Sequence, residues 1–208
     1  MPHHDALIRP PVDPGEFRDL IAIYEEAIPA SERKSRAQVE LMRRDPGYCF
    51  LGAFLDGRLI GFAIVYRFRG ERLSLLEYMA VDSQHRNEGI GGRLFHAALA
   101  VAAAATPMLL EVESERAPSK DHTQRVKRKR FYRRLGCREI AGLGYVQPMG
   151  DGPPPMNLLL HDPGRQSLDH ATVLQWLISL YVEVYGRPAS DPRIAHMAGG
   201  LPEEIALI

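Results

Sequence analysis

The sequence predicts an α/β (α+β) fold: a mixed, mostly antiparallel central sheet with helices on both faces, followed by a C-terminal helical extension. Three observations lead there. Two helix-period segments open the chain, three strand-like runs follow as a meander, and a strand–helix–strand–helix–strand series comes next, with a final strand after it. A meander followed by crossover units requires a mixed sheet covered on both sides.

The elements are justified in order. Pro10 to Pro14 makes a stiff start. Phe17, Leu20, Ile21, Tyr24 and Ile28 then recur at helical spacing within 16–30. Residues 35–44 form a second short helix, stopped by Asp45-Pro46-Gly47. Strands are expected at 48–55, 59–67 and 73–81, with Asp56-Gly57 as the hairpin turn between the first two. A helix over 93–105, a strand over 108–112 and a helix over 123–135 follow, with Gly136 as its C-terminal cap. Residues 138–140 and 156–160 complete the strands, joined by a loop rich in proline and glycine over 148–155. These elements make one domain over 5–161. After Asp162-Pro163-Gly164, residues 165–208 form the extension. Its stripe of Val173, Leu177, Leu180 and Val184, beside Trp176 and Tyr181, ends at Gly186 and Pro188, and 192–197 is a second helix. Such a short segment cannot bury its apolar face alone, so it packs on the domain or on a second subunit as a homodimer contact.

Bulk properties exclude several classes. The chain has 208 residues, 45% hydrophobic and 25% charged, which suits a globular domain with a real core. A net charge of +0 gives no global field for nucleic acid or an anionic membrane. No apolar run is long enough to span a bilayer, and no secretory signal is expected at the start of the chain. Cys49 and Cys137 lack metal spacing and read as free thiols, so no metal is expected and the location expected is cytoplasmic.

The most informative stretch is Arg86-Asn87-Glu88-Gly89-Ile90-Gly91-Gly92, between a strand and a helix. Unpaired N–H groups and the positive end of the helix dipole make such a turn a phosphate site. Glycine lets the anion reach the backbone, and Arg86 adds a fixed charge. A P-loop would need Gly-Lys-Ser/Thr, where this chain has Gly91-Gly92-Arg93. A dinucleotide fingerprint would need glycine where Leu94 stands, although Glu111 lies where a ribose-binding acid belongs. The turn could also be a helix start that binds nothing.

Arg86-x-x-Gly89-x-Gly91 resembles the acyl-CoA signature of the GNAT acetyltransferase superfamily. Leu76 to Asp82 resembles the family's fourth strand, and Phe131-Tyr132-Arg133-Arg134-Leu135-Gly136 resembles its second, aromatic signature. The chain departs from the pattern at Arg125, where the family often has Asn, and at Cys137, where it usually has Phe. The resemblance implies acetyl-CoA as donor and a primary amine, small-molecule or peptide, as acceptor. It places the diphosphate on Arg86, Asn87, Glu88, Gly89, Ile90, Gly91 and Gly92, with Arg125 as a further contact. It places the pantetheine arm along Met79, Ala80 and Val81 as an added strand, where a freed N–H near Met79 polarises the thioester carbonyl.

Direct amine attack then raises two proton problems, because an alkylamine is protonated at neutral pH and a thiolate must leave. Tyr132 is expected to serve the thiolate. It stands at the edge of a buried helix face made by Phe131 and Leu135. Glu77 is the first choice of base, since strand alternation gives it a face in common with Met79. Glu111 and Glu113 share a strand face and are the alternatives, whereas His85 reads as a turn residue. The acceptor is expected between the first two helices and the loop 148–155, near Glu25, Glu26, Glu111 and Glu113. The basic run 125–134 is expected to give partial CoA contact with a solvated remainder. Its charges surround the helix rather than forming one stripe, which argues against nucleic acid. A non-catalytic acyl-CoA sensor and a nucleic-acid-associated protein are the competing readings.

Overall fold

The computed structural model describes residues 6–102, 107–116, 119–149 and 154–208. The chain divides into two compact units, Met1–Arg69 with Ser74–Thr106, and Gly70–Leu73 with Pro107–Ile208. Residue 5, the end of the expected helix 93–105 past 102, and the middle of the expected loop 148–155 lie outside the described residues.

In the first unit, strands β1 (Leu7–Arg9), β2 (Tyr48–Leu55), β3 (Arg58–Arg67) and β4 (Ser74–Val81) pair in sequence, all antiparallel. The turn between β2 and β3 has Asp56 at φ 50° and Gly57 at φ 79°, the left-handed pair that matches the twist of a two-residue hairpin. Helix α1 (Pro14–Ala27) begins where Asp13 accepts from the N–H groups of Gly15 and Glu16, with Pro14 in its first turn. Its buried stripe, Phe17, Leu20, Ile21 and Tyr24, packs with Phe50, Phe62, Ile64 and Tyr78. Helix α2 (Arg36–Met42) opens on a reciprocal capping box of Ser35 and Gln38. Helix α3 (Ile90–Val101) packs on β2, β3 and β4, burying Leu94, Phe95 and Ala98. A Cβ on Gly61 would stand 3.2 Å from Leu94 Cδ1, so glycine there admits the helix.

In the second unit, β5 (Met108–Glu113) and β6 (Cys137–Glu139) both pair antiparallel with β7 (Met156–His161). Helix α4 (His122–Arg134) is followed by Gly136 at φ 89°, the left-handed residue that ends it. The C-terminal segment contains β8 (Ser167–Asp169), α5 (His170–Ser179), a π-helical turn Leu180–Val184, α6 (Pro192–Ala198) and β9 (Glu204–Ala206). The strand pair β8–β9 was not expected from sequence, and neither was β1. Each is only three residues long, too short for alternation to register. The segment packs on its own unit: Ile140 bridges Leu207, and the Glu139 N–H donates to the Ile208 carbonyl at 2.7 Å.

Helix α3 starts at Ile90, three residues before its expected start, so Gly91 and Gly92 lie in its first turn. A first turn tolerates glycine because its N–H groups have no intrahelical partner in any case.

Candidate active site

After β4 the chain makes a short 3₁₀ turn over Ser83–His85, in which Asp82 accepts from the Gln84 N–H at 2.9 Å. Asn87 at φ 69° and Gly89 at φ 82° then curl the backbone through two left-handed positions. Such a curl turns successive N–H groups towards one side. Gly89 is the N-cap of α3 and brings no side chain to its donors. Arg86, Asn87, Glu88 and Gly89 are exposed, while the buried Ile90 side chain anchors the turn. A Cβ at Gly89 or Gly92 would meet nothing within 4 Å, so both backbones face open space. Uncapped donors, a helix dipole, open approach and the exposed Arg86 fit a diphosphate. Arg86 Nε lies 3.4 Å from the Val81 carbonyl.

The strand leading into this turn is irregular. Ile64 pairs with Tyr78 and Val65 with Leu76, which leaves Glu77 as the extra residue of a β-bulge. The bulge breaks the alternation on which the Glu77–Met79 pairing rested. Glu77 shares the α1 side with Tyr78, where it meets Lys34. The Glu77 side chain is 2% exposed, and its Oε1 lies 2.6 Å from Lys34 Nζ. Its Oε2 is buried with no hydrogen-bond partner among the described residues. Tyrosines surround the pair. Lys34 Nζ lies 3.5 Å from the Tyr48 hydroxyl, Tyr24 donates to the Lys34 carbonyl at 3.0 Å, and the Lys34 N–H donates to the Tyr78 hydroxyl at 3.3 Å. Burial, then the negative charge of Glu77, raises the Tyr48 and Tyr78 phenols well above the usual tyrosine value, so both stay protonated. Met79, Ala80 and Val81 are half-buried along the end of β4.

In the second unit the acids of β5 diverge. Glu113 binds Arg125 (2.8 Å) and Arg128 (2.7 Å) of α4 through separate oxygens. Glu111 instead accepts from the Tyr145 hydroxyl, and from the Tyr185 hydroxyl at 2.6 Å. The expected common face of Glu111 and Glu113 therefore does not bring them together.

Helix α4 also differs from its expected orientation. Its buried residues are Arg125, Lys129 and Tyr132, whereas Phe131 and Leu135 are half-buried. Arg125 is committed to Glu113 and to the Ser114 carbonyl, not left for a CoA phosphate. Lys129, 4% exposed, sits between Glu115 and Glu139, each at 2.7 Å. Acids on the neighbouring elements draw the inner part of the basic run inward, which correction a charge count along the helix could not supply. Tyr132 lies inside the buried face, and burial pushes its hydroxyl up to about 12.

The C-terminal segment holds the loop after β6. Tyr181 donates to the Val146 carbonyl, Gln147 Nε2 donates to the Tyr185 hydroxyl at 3.0 Å, and Arg187 donates to the Pro148 carbonyl at 3.1 Å. The wide π turn over 180–184 delivers Tyr181 and Tyr185 to that loop, a use of π-helical turns common near functional positions. Leu143, Gly144, Tyr145, Pro155 and Met156 line a cavity of about 580 Å³ in this unit. Among the described residues no cluster of His, Cys, Asp or Glu is arranged to hold a metal, and no helix is long and apolar enough to cross a membrane.

Sequence reasoning missed Lys34, Tyr48, Tyr145 and Tyr185. Their partners lie 14 to 74 positions away in the chain, and no local pattern encodes such contacts.

The fold is a mixed α/β one, with an open turn at the N-terminus of α3. The sequence matches the Acetyltransferase (GNAT) family over residues 17–137, and the chain belongs to that family. Acetyl transfer from acetyl-CoA is therefore its family's reaction. No curated protein matches the sequence. Among solved structures, one described as an acetyltransferase of the GNAT family from Bacteroides thetaiotaomicron is 24% identical, with TM-score 0.68, covering 86% of this chain and 98% of its own. The ribosomal-protein-S18-alanine N-acetyltransferase of Escherichia coli is 18% identical, with TM-score 0.55, covering 74% and 92%. Arabidopsis thaliana NAA60 in complex with acetyl-CoA is 16% identical, with TM-score 0.57, covering 74% and 97%. These likenesses establish a shared fold.

Proposed function

We propose that this protein transfers the acetyl group of acetyl-CoA to a primary amine by direct attack in a ternary complex. The observation that carries the proposal is the start of α3, where a left-handed Gly89 and open space beside Gly92 leave first-turn N–H groups ready for a diphosphate. Residues 86–92 take that role, and Met79, Ala80 and Val81 take the pantetheine arm. Bound there, acetyl-CoA supplies an electrophilic thioester carbonyl.

The chain's own groups handle the protons. Glu77 is the proposed base. Of the three candidate carboxylates, Glu113 holds an arginine on each oxygen and Glu111 a phenol on each, while Glu77 holds Lys34 on Oε1 and has a buried Oε2 with no hydrogen-bond partner among the described residues. Tyr132 is proposed to donate to the leaving sulfur. Burial holds its hydroxyl protonated through neutral pH, which suits a donor and not a base. The charge of Glu111, held by Tyr145 and Tyr185, is proposed to attract the acceptor's ammonium. Arg125 is withdrawn as a CoA contact because Glu113 occupies it.

Isothermal titration with acetyl-CoA tests the first element: no binding ends the proposal. Thiol release with a panel of amines tests the second. Binding without release by any amine would support a non-catalytic sensor instead.

A further inference from the structure

We infer that Lys34 is an internal acetyl acceptor, so that the protein acetylates its own Lys34 Nζ. This rests on the acyl-transfer reading above and names an acceptor within the chain.

Composition and placement single out this lysine. Only four of the 26 basic residues are lysine, at 34, 120, 127 and 129, and the rest are arginine. Arginine makes the stronger fixed partner for a carboxylate, whereas lysine can lose its proton and become a nucleophile. Lys34 is also the sole lysine before residue 120. Its ammonium already sits on the carboxylate proposed as base, 2.6 Å from Glu77 Oε1, with the side chain 10% exposed. The bulge that turns Glu77 towards Lys34 lies just before Met79–Val81, the residues proposed to hold the pantetheine arm.

The backbone of Lys34 is held as well as its ammonium. Tyr24 donates to the Lys34 carbonyl, the Lys34 N–H donates to Tyr78, and Tyr78 donates to the Glu32 carbonyl at 3.3 Å. The Tyr48 ring centroid lies 5.9 Å from Nζ, within reach of a cation–π attraction. A buried amine held on a base has lost most of the orientational freedom that makes a bimolecular encounter slow. The other lysines stand differently: Lys120 and Lys127 are exposed, and Lys129 lies among acids of the second unit.

The reaction balances without a further reagent. One ammonium proton passes to Glu77, and the neutral Nζ forms a bond to the thioester carbonyl carbon. The carbon–sulfur bond breaks, with its electron pair remaining on sulfur. The second proton leaves nitrogen as the amide forms and ends on the sulfur. The products are Nε-acetyl-lysine, the CoA thiol and one proton, which Glu77 returns to water.

The test incubates the full chain with isotopically heavy acetyl-CoA and follows intact mass and peptide maps. One heavy acetyl group on Lys34 is expected, at a rate per molecule that does not change on dilution. Glu77→Gln should slow labelling by about a hundredfold, the scale of a lost general base. Lys34→Arg should take no label at that position yet still bind acetyl-CoA by titration, which also shows that it folds. Label confined to Lys120 and Lys127 would mark surface chemistry and overturn the inference. So would an unlabelled Lys34 in a protein that binds acetyl-CoA and releases thiol with added amines, an outcome that leaves the proposed function standing. A protein that does not bind acetyl-CoA at all would overturn both.

Discussion

The Tyr185 hydroxyl donates to Glu111 Oε2 at 2.6 Å, tying the C-terminal segment to the fifth strand across 74 residues of chain. Tyr145 occupies the other oxygen of the same carboxylate. The segment therefore shapes the surroundings of an acid proposed to attract the acceptor. Tyr185→Phe should raise KM for a cationic amine about three- to tenfold, the scale of one hydrogen bond to a charged group, with kcat little changed. Steady-state kinetics at fixed, saturating acetyl-CoA check this. An unchanged KM would remove Tyr185 from acceptor recognition.

Tyr132→Phe should lower kcat about a hundredfold while leaving the affinity for acetyl-CoA close to wild type. Because burial raises this hydroxyl to about 12, the wild-type rate should show no descending limb from Tyr132 through pH 10. A full-rate Phe variant would assign the residue to packing.

Gly92→Ala separates folding from binding. The position is helical, and a Cβ there meets nothing within 4 Å. Alanine should stabilise the protein by about 0.5–1 kcal/mol through helix propensity. The same methyl group should weaken acetyl-CoA binding roughly tenfold, or ~1.4 kcal/mol, by standing in the anion's approach. Thermal melts and titration calorimetry read the two effects separately. Undiminished affinity would place the diphosphate elsewhere.

Lys129→Ala leaves Glu115 and the buried Glu139 without their shared ammonium. Breaking a buried pair from one side costs about 3–5 kcal/mol. Urea unfolding followed by circular dichroism should show that loss, and a change under 1 kcal/mol, the scale of an exposed pair, would mean the network is solvated.

Alkaline stability follows from two buried acids of the second unit. Burial raises Cys137 from 9.0 to about 12 and Tyr132 from 10.0 to about 12. Both are held neutral in the folded chain, so unfolded chains lose these protons first. The contribution is fully present below pH 9 and is lost as pH rises through about 12. Urea midpoints should fall steadily between pH 9 and pH 11, and Cys137→Ala should flatten the lower part of that fall. A flat wild-type profile would contradict the burial of both groups.

Much of the architecture was legible in the chain. The β2–β3 hairpin follows from Asp56-Gly57 between apolar runs, and the helix stop at Gly136 follows from its need for positive φ. The candidate phosphate turn was legible because glycine spacing is a local property of the backbone. The orientation of α4 was not. An isolated helix would bury Phe131 and Leu135, but Glu113, Glu115 and Glu139 reach it from distant positions and pull Arg125 and Lys129 inward. The facing of Glu77 escaped for a different reason: one extra residue in β4 inverts the period-two rule beyond it.

What the sequence by itself determined were the quantities that depend on neighbours within a few residues: element order, turns, caps and the glycine signature beside Arg86. Only the tertiary structure decided which charges meet. Lys34 faces Glu77, Arg125 faces Glu113 and Tyr185 faces Glu111 because packing brings remote side chains within a few ångströms. The physical reason is range. Backbone geometry is set locally, whereas the partner of a buried charge is chosen by whichever opposite group shares its low-dielectric surroundings.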